Sequence, residues 1–446
     1  MSSGGFRGSQ ANCSLKLRPS ALLRPAETLQ QLLARCHWSV ADSALLQAVV
    51  QGIPCSRGNA GRKLNALVRV FERVRLTYAL LFIVGAFELI KLLMQQSRNT
   101  ERRIYVSSEG IANHSPATYF VGFGAGPEES LFATYCAEKD RPVVRINQTK
   151  VESMGRLHTV GVSEAFRFLW RALGSARQVM ANLPKEFSPW RDDFLTFIGM
   201  RLGYYAYVRT WFAQLKESNP GVAEVCFLAA DTAAFAAVDA GLPTRHLQHG
   251  LIRHSLVQPT FDRVDALTNE EVLHFRQRLP RADIHLARAT MAPITLRKSP
   301  CVLVASVYFH HEEMRRVLPF LEFAAQHGMA IHVRPHPGED RSFWCTGDLP
   351  VTVSLEDSDA TFDAALERLQ PSMVVSWFST ALVDTLYRSV IPVSVSARDD
   401  VNIQDLVYPL LRHCLHWPDD QNELETIIYD KTNYQATLSR LRFGME

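Results

Sequence analysis

The chain has 446 residues, 47% of them hydrophobic and 21% charged, which supplies a large globular core and excludes the disordered and fibrous classes. At about 100–200 residues per domain, two or three domains are expected. A net charge of +3 gives no electrostatic case for a nucleic-acid partner, and none is expected.

The cysteines (Cys13, Cys36, Cys55, Cys136, Cys226, Cys301, Cys345 and Cys414) include no CxxC pair. Their dispersal argues against a zinc ribbon or a disulfide framework and fits a reducing cytoplasm. Met1-Ser2-Ser3-Gly4-Gly5 lacks the charged and then apolar pattern of a secretory signal, so a cytoplasmic protein is expected.

Residues 1–100 read as a helical region. Leu76 to Met94 is strongly apolar, but Glu88 and Lys91 interrupt it. Arg62, Lys63, Arg69, Arg73 and Arg75 precede it, and Arg98, Arg102 and Arg103 follow. Three readings stay open: a helix buried against the main body, a helix spanning the bilayer, or peripheral membrane contact through residues 61–98.

Residues 101–297 form a first β/α series. Strands are expected at Ile104–Val106, Tyr119–Val121, Val143–Ile146, Glu224–Leu228 and Thr244–Leu247, and helices at Val162–Leu183, Phe194–Leu215 and Asp231–Ala240. Gly122-Phe123-Gly124-Ala125-Gly126-Pro127 has the wrong spacing for a dinucleotide loop and reads as a helix start with acidic residues in its first turn. After Thr244–Leu247, Gly250 permits a tight turn and His249 stands at the strand's carboxyl end. A lone histidine there reads as structural. Facing a second histidine across a cleft, its near-neutral titration suits removal of a proton from an attacking hydroxyl.

Residues 298–446 form a second series. Strands are expected at Cys301–Ala305, Met329–Val333, Val351–Val353, Met373–Val375 and Ile391–Val393, and helices at Glu312–His327, Thr361–Leu369 and Thr380–Tyr387. Alternating strands and helices predict an α/β protein with two Rossmann-like parallel sheets facing a cleft.

Two loops of this series suit an anion. Arg334-Pro335-His336-Pro337-Gly338 is stiffened by two prolines and sits where open α/β sheets bind ligands. It is either a phosphate site or a rigid turn with a solvated histidine. Ser376 and Ser379-Thr380 flank a helix start whose N–H groups attract anions; a plain N-cap explains the same residues. Ser306 follows Cys301–Ala305 in a loop facing the same ligand. His310-His311-Glu312-Glu313 lacks the i, i+4 spacing of a helical metal site, and no metal is expected.

Gln248-His249-Gly250, then Arg334-Pro335-His336-Pro337, then Ser376-x-x-Ser379-Thr380, resembles bacterial surface-polysaccharide glycosyltransferases of the two-Rossmann GT-B type. These include sialyltransferases and polysialyltransferases, capsule Kdo transferases and teichoic-acid polymerases. The resemblance covers about residues 220–400. It implies a metal-independent transferase that extends a capsule, lipopolysaccharide or other glycolipid from a nucleotide-activated sugar, a CMP-sugar first. It needs no cofactor beyond that donor.

His336 and the hydroxyls of Ser379 and Thr380 then hold the leaving phosphate, with Arg334, Pro337, Ser306 and Ser376 as further donor-binding residues and His249 as the base. Sialyltransferase-like members carry an acidic residue before the glycine, which makes Glu109, before Gly110, the alternative base. The His-Gly pair of this chain matches the teichoic-acid pattern, which leaves a CDP-polyol phosphotransferase open, as well as a non-catalytic glycan-assembly protein. Implied partners are a glycan or lipid-linked saccharide acceptor and polysaccharide-assembly proteins.

Overall fold

The computed structural model describes residues 77–97, 118–122, 127–139, 143–147, 160–181, 191–248, 258–287, 293–294, 300–306, 311–336, 341–345, 349–356, 361–376, 379–395 and 413–442. Six strands make the first sheet: β1 (Thr118–Gly122), β2 (Val143–Asn147), β3 (Glu224–Phe227), β4 (Thr244–Leu247), β5 (Arg263–Ala266) and β6 (Asp283–Leu286). They lie in the order β2-β1-β3-β4-β5-β6 and pair in parallel.

The second sheet has β7 (Cys301–Ala305), β8 (Ala330–Arg334), β9 (Ser354–Leu355), β10 (Met373–Ser376), β11 (Ile391–Ser394) and β12 (Leu415–His416). Its order is β12-β11-β10-β7-β8-β9, again parallel. The expected α/β class with two Rossmann-like sheets is therefore observed.

Packing groups β1, β2 and β3 into one unit and β7 to β12 into another, with β5 and β6 counted in the second. The first unit is built on helices α1 (Thr77–Ser97), α3 (Val162–Ala181), α4 (Arg191–Ser218) and α5 (Thr232–Asp239); α2 (Pro127–Ala137) follows β1. Pro127 opens α2, as the reading of the glycine run required. Along α4, Tyr207, Trp211 and Phe212 are fully buried, and Phe212 meets Phe227 of β3 edge-on at 6.0 Å.

Helix α1 is long and apolar enough to cross a membrane. Its inner face, Leu80, Leu81, Val84, Leu89 and Leu92, is nevertheless buried within the unit. Three glycines let the helices approach closely. A Cβ on Gly199 of α4 would stand 2.8 Å from the Val84 side chain, and one on Gly203 would collide with the Gly85 carbonyl oxygen.

The second unit adds α6 (Asn269–Arg278), α7 (His311–Gln326), α8 (Ser342–Cys345), α9 (Phe362–Leu369), α10 (Thr380–Tyr387), α11 (Gln421–Tyr429) and α12 (Lys431–Arg442). Strand alternation divides the packing. Val302, Val304, Ile331, Val333, Met373 and Val375 face α7, α10, α11 and α12, whereas Leu303, Ala305 and Val374 face α9. Each Val, Leu, Ile or Met among them stabilises the fold by about 1.5–3 kcal/mol on burial.

β5 and β6 are not among the expected strands; in β5 the buried Asp265 carboxylate is paired with Arg263 at 3.1 Å, so a strand carries a charge inward. The expected Val351–Val353 strand lies later, at Ser354–Leu355, where Glu356 N–H donates to Val333 O at 2.8 Å. The expected strand Ile104–Val106 lies outside the described residues.

Replacing Gly203 by valine forces α1 and α4 apart and is expected to cost about 1–3 kcal/mol, read as a lower urea midpoint. A midpoint equal to that of the parent protein would mean the two helices do not meet at these glycines.

Candidate functional site

In the second sheet the chain direction reverses between β7 and β10, the switch point at which open α/β sheets place their ligands. Neighbouring strands are about 4.8 Å apart, so the ends of β8, β7 and β10 fall within about 10 Å of one another. Several of the expected site residues stand at these strand ends: Arg334 ends β8, the buried Pro335 and half-buried His336 follow it, Ser306 follows β7, and Ser376 ends β10.

Hydrogen bonds beyond the ladders lock this edge. Ser306 N–H donates to Arg334 O at 3.1 Å, and Val395 N–H donates to Ser376 O at 3.1 Å. Ser376 is fully buried and its hydroxyl donates to Ala305 O at 2.6 Å, which commits that proton to joining β10 and β7. Ser376 thus holds the strand ends together. The buried Ser306 stands between the two neighbouring strand ends.

Ser379 is the N-cap of α10, with extended backbone at φ −110° and ψ 142°. Its oxygen accepts from Ala381 N–H at 3.2 Å, which leaves the hydroxyl proton to be donated elsewhere. Thr380 is the first helical residue and is half-buried. No acidic residue stands in the first turn, so within α10 and its cap the positive end of the helix dipole, about half a unit charge, meets only the neutral hydroxyls of Ser379 and Thr380. The far end of α10 is anchored as well, since Tyr387 Oη donates to Leu267 O at 2.9 Å.

Two residues back along β8, His332 Nδ1 is 2.9 Å from Glu356 Oε1, and the buried Glu356 also pairs with Arg368 of α9. That chain of contacts fixes the strand that carries Arg334. Among the described residues no group of three or more His, Cys, Asp or Glu is arranged around a cation position.

The first sheet reverses between β1 and β3, and its edge is built differently. Asp231 caps α5, accepting from Ala233 N–H at 3.0 Å and Ala234 N–H at 3.2 Å. A carboxylate already occupies the helix terminus where an anion would sit. Beside it, burial raises the Tyr204 phenol well above its ordinary pKa. The Asp231 charge adds to that shift and Arg201 opposes it.

His249, Pro337 and Glu109 lie outside the described residues. The residue before His249 is described, and sequence reading passed over it. Gln248 is buried; its N–H donates to Asp265 O at 3.1 Å, its Oε1 accepts from Leu267 N–H at 3.0 Å, and its Nε2 donates to the fully buried Glu271. Thr268 caps α6 and also donates to Glu271 at 3.4 Å. The only sequence signal was the Thr268-x-x-Glu271 capping spacing.

The fold class is thus two Rossmann-like parallel sheets, with anion-suited groups gathered on the edge of the second. No family model matches the chain, and no curated protein matches it. Among solved structures it is similar to MurG of Acinetobacter baumannii, with 14% identity over 74% of this chain and 96% of that one, at a TM-score of 0.41. It is also similar to the glycosyltransferase SnogD from Streptomyces nogalater, with 13% identity over 74% and 95% and a TM-score of 0.41. A third is the UDP-GlcNAc 2-epimerase of Methanocaldococcus jannaschii in complex with UDP-GlcNAc and UDP, with 8% identity over 63% and 83% and a TM-score of 0.38.

Gln248→Ala leaves the Glu271 carboxylate and the Leu267 N–H buried without their partner. The expected loss is about 1–3 kcal/mol of stability, measured by denaturant unfolding. A variant as stable as the parent would remove Gln248 from the supports of this loop.

Proposed function

We propose that this protein is a metal-independent glycosyltransferase that uses a nucleotide-activated sugar, a CMP-sugar in the first instance, to extend a cell-surface polysaccharide or glycolipid. One observation carries the reading. Around the switch point of the second sheet, Arg334 and His336 at the end of β8 and the Ser379-capped start of α10, with no acidic residue in its first turn, lie on either side of the end of β7. That charge arrangement suits the phosphate of a departing nucleotide.

The roles follow from charge and reach. His336 and Arg334 neutralise the charge that grows on the phosphate as the sugar leaves, and Ser379, Thr380 and the α10 N–H groups hold its oxygens. Ser306 completes the pocket between them, Pro337 stiffens the loop, and Ser376 holds the strand ends. Side chains and a helix terminus take up the charge, so no metal step is required.

His249 accepts the proton of the acceptor hydroxyl, and Glu109 is the alternative base. The acceptor is a glycan or a lipid-linked saccharide on the inner face of the plasma membrane, among polysaccharide-assembly proteins. The His249-Gly250 pair favours a second reading, transfer of a polyol phosphate from a CDP-polyol.

Cytidine, uridine and guanosine mono- and diphosphates in a thermal-unfolding assay test the reading. CMP is expected to raise the melting temperature and CDP to do less; the reverse order would select the polyol-phosphate reading, and no shift with any nucleotide would remove the donor site. His336→Ala is expected to lower kcat by about 10²–10³-fold, the scale of one lost electrostatic partner. Unchanged turnover in that variant would take His336 out of the site.

A further inference from the structure

We propose that the outward face of α1, continued by Trp170 of α3, docks the protein onto an anionic membrane surface. The inner face of α1 is buried in the first unit, yet its outer face is not polar. Tyr78, Ile83, Phe87, Ile90 and Met94 are all exposed, Phe87 to 72%. A shallow groove of ≈ 270 Å³ runs along it between Phe87, Ile90, Lys91, Met94 and Gln95. A helix apolar on both its inner and outer faces belongs either in a core or against lipid, and among the described residues nothing covers the outer face of this one.

The apolar strip crosses to the next helix. Trp170 is 66% exposed and meets Phe82 edge-on, with ring centroids 5.6 Å apart at 78°. Indole rings favour the boundary between headgroups and acyl chains.

Charge selects the occupant. Arg167 and Arg171 are exposed on α3, three residues before and one residue after Trp170. The nearby acids are engaged within the protein: Glu88 pairs with Lys91 at 3.2 Å, and Glu164 accepts from Gln214 at 3.1 Å. In sequence, Arg62, Lys63, Arg69, Arg73 and Arg75 lead into α1, and Arg98, Arg102 and Arg103 lead out, against Glu72 and Glu101. An apolar strip with exposed arginines beside it, in a helix flanked by basic sequence, fits anionic headgroups over an acyl boundary. Because the opposite face is sealed against α3 and α4, the helix lies in the plane of the bilayer and does not cross it.

The proposal is independent of the transferase reading, because its test contains no nucleotide. The full chain is sedimented with phosphatidylcholine vesicles, with and without phosphatidylglycerol. Binding is expected only with phosphatidylglycerol and is expected to fall with added salt. The double variant Phe87→Glu, Trp170→Glu is expected to bind at least tenfold more weakly with an unchanged melting temperature, both side chains being exposed. Absence of binding to either vesicle overturns the proposal, as does equal binding by the double variant. A dimer that the double variant dissolves into monomers, without vesicle binding, assigns the face to a second copy and overturns it too.

Discussion

The candidate site depends on the hydrogen bonds that continue past the last rungs of the second sheet. The Ser376 hydroxyl to Ala305 O and the Ser306 N–H to Arg334 O fix the ends of β10, β7 and β8 relative to one another. Without them, Arg334, Ser306 and the α10 terminus would ride on three independent loops. With them, the strand ends that carry these groups are held in register before any ligand arrives, which lowers the ordering cost of binding.

The two sheets make an instructive contrast. Each has a switch point, and in each a capped helix starts there. In the first sheet Asp231 closes the helix terminus with a carboxylate; in the second Ser379 closes it with a neutral hydroxyl. The cap of the helix at the switch point is therefore a carboxylate in one sheet and a neutral hydroxyl in the other. The proposed anion site on the second sheet rests on this difference more than on the presence of histidine.

Much of this was legible in the sequence. The Thr380–Tyr387 helix appears at its expected bounds, because Ser379 before an apolar run is a strong start and the chain turns after Tyr387. The β8 strand was readable from its alternating apolar residues, and it appears one residue later than expected, at Ala330–Arg334. What escaped depends on partners far along the chain. β5 carries Asp265 inward beside Arg263, so its apolar periodicity fails. Gln248 gains its meaning only from Glu271 and Leu267, about twenty residues later. Ser376 read as a ligand contact, and its hydroxyl instead joins two strands, which no local pattern signals.

Ser379→Asp makes the second sheet resemble the first, since aspartate caps a helix as well as serine does. Calorimetric titration of CMP into the parent and this variant reads the central claim. The account predicts an equally stable variant in which the carboxylate fills the anion position and CMP affinity falls by about tenfold or more, at least 1.4 kcal/mol. Equal CMP affinity in the two proteins would contradict a phosphate site at the α10 terminus.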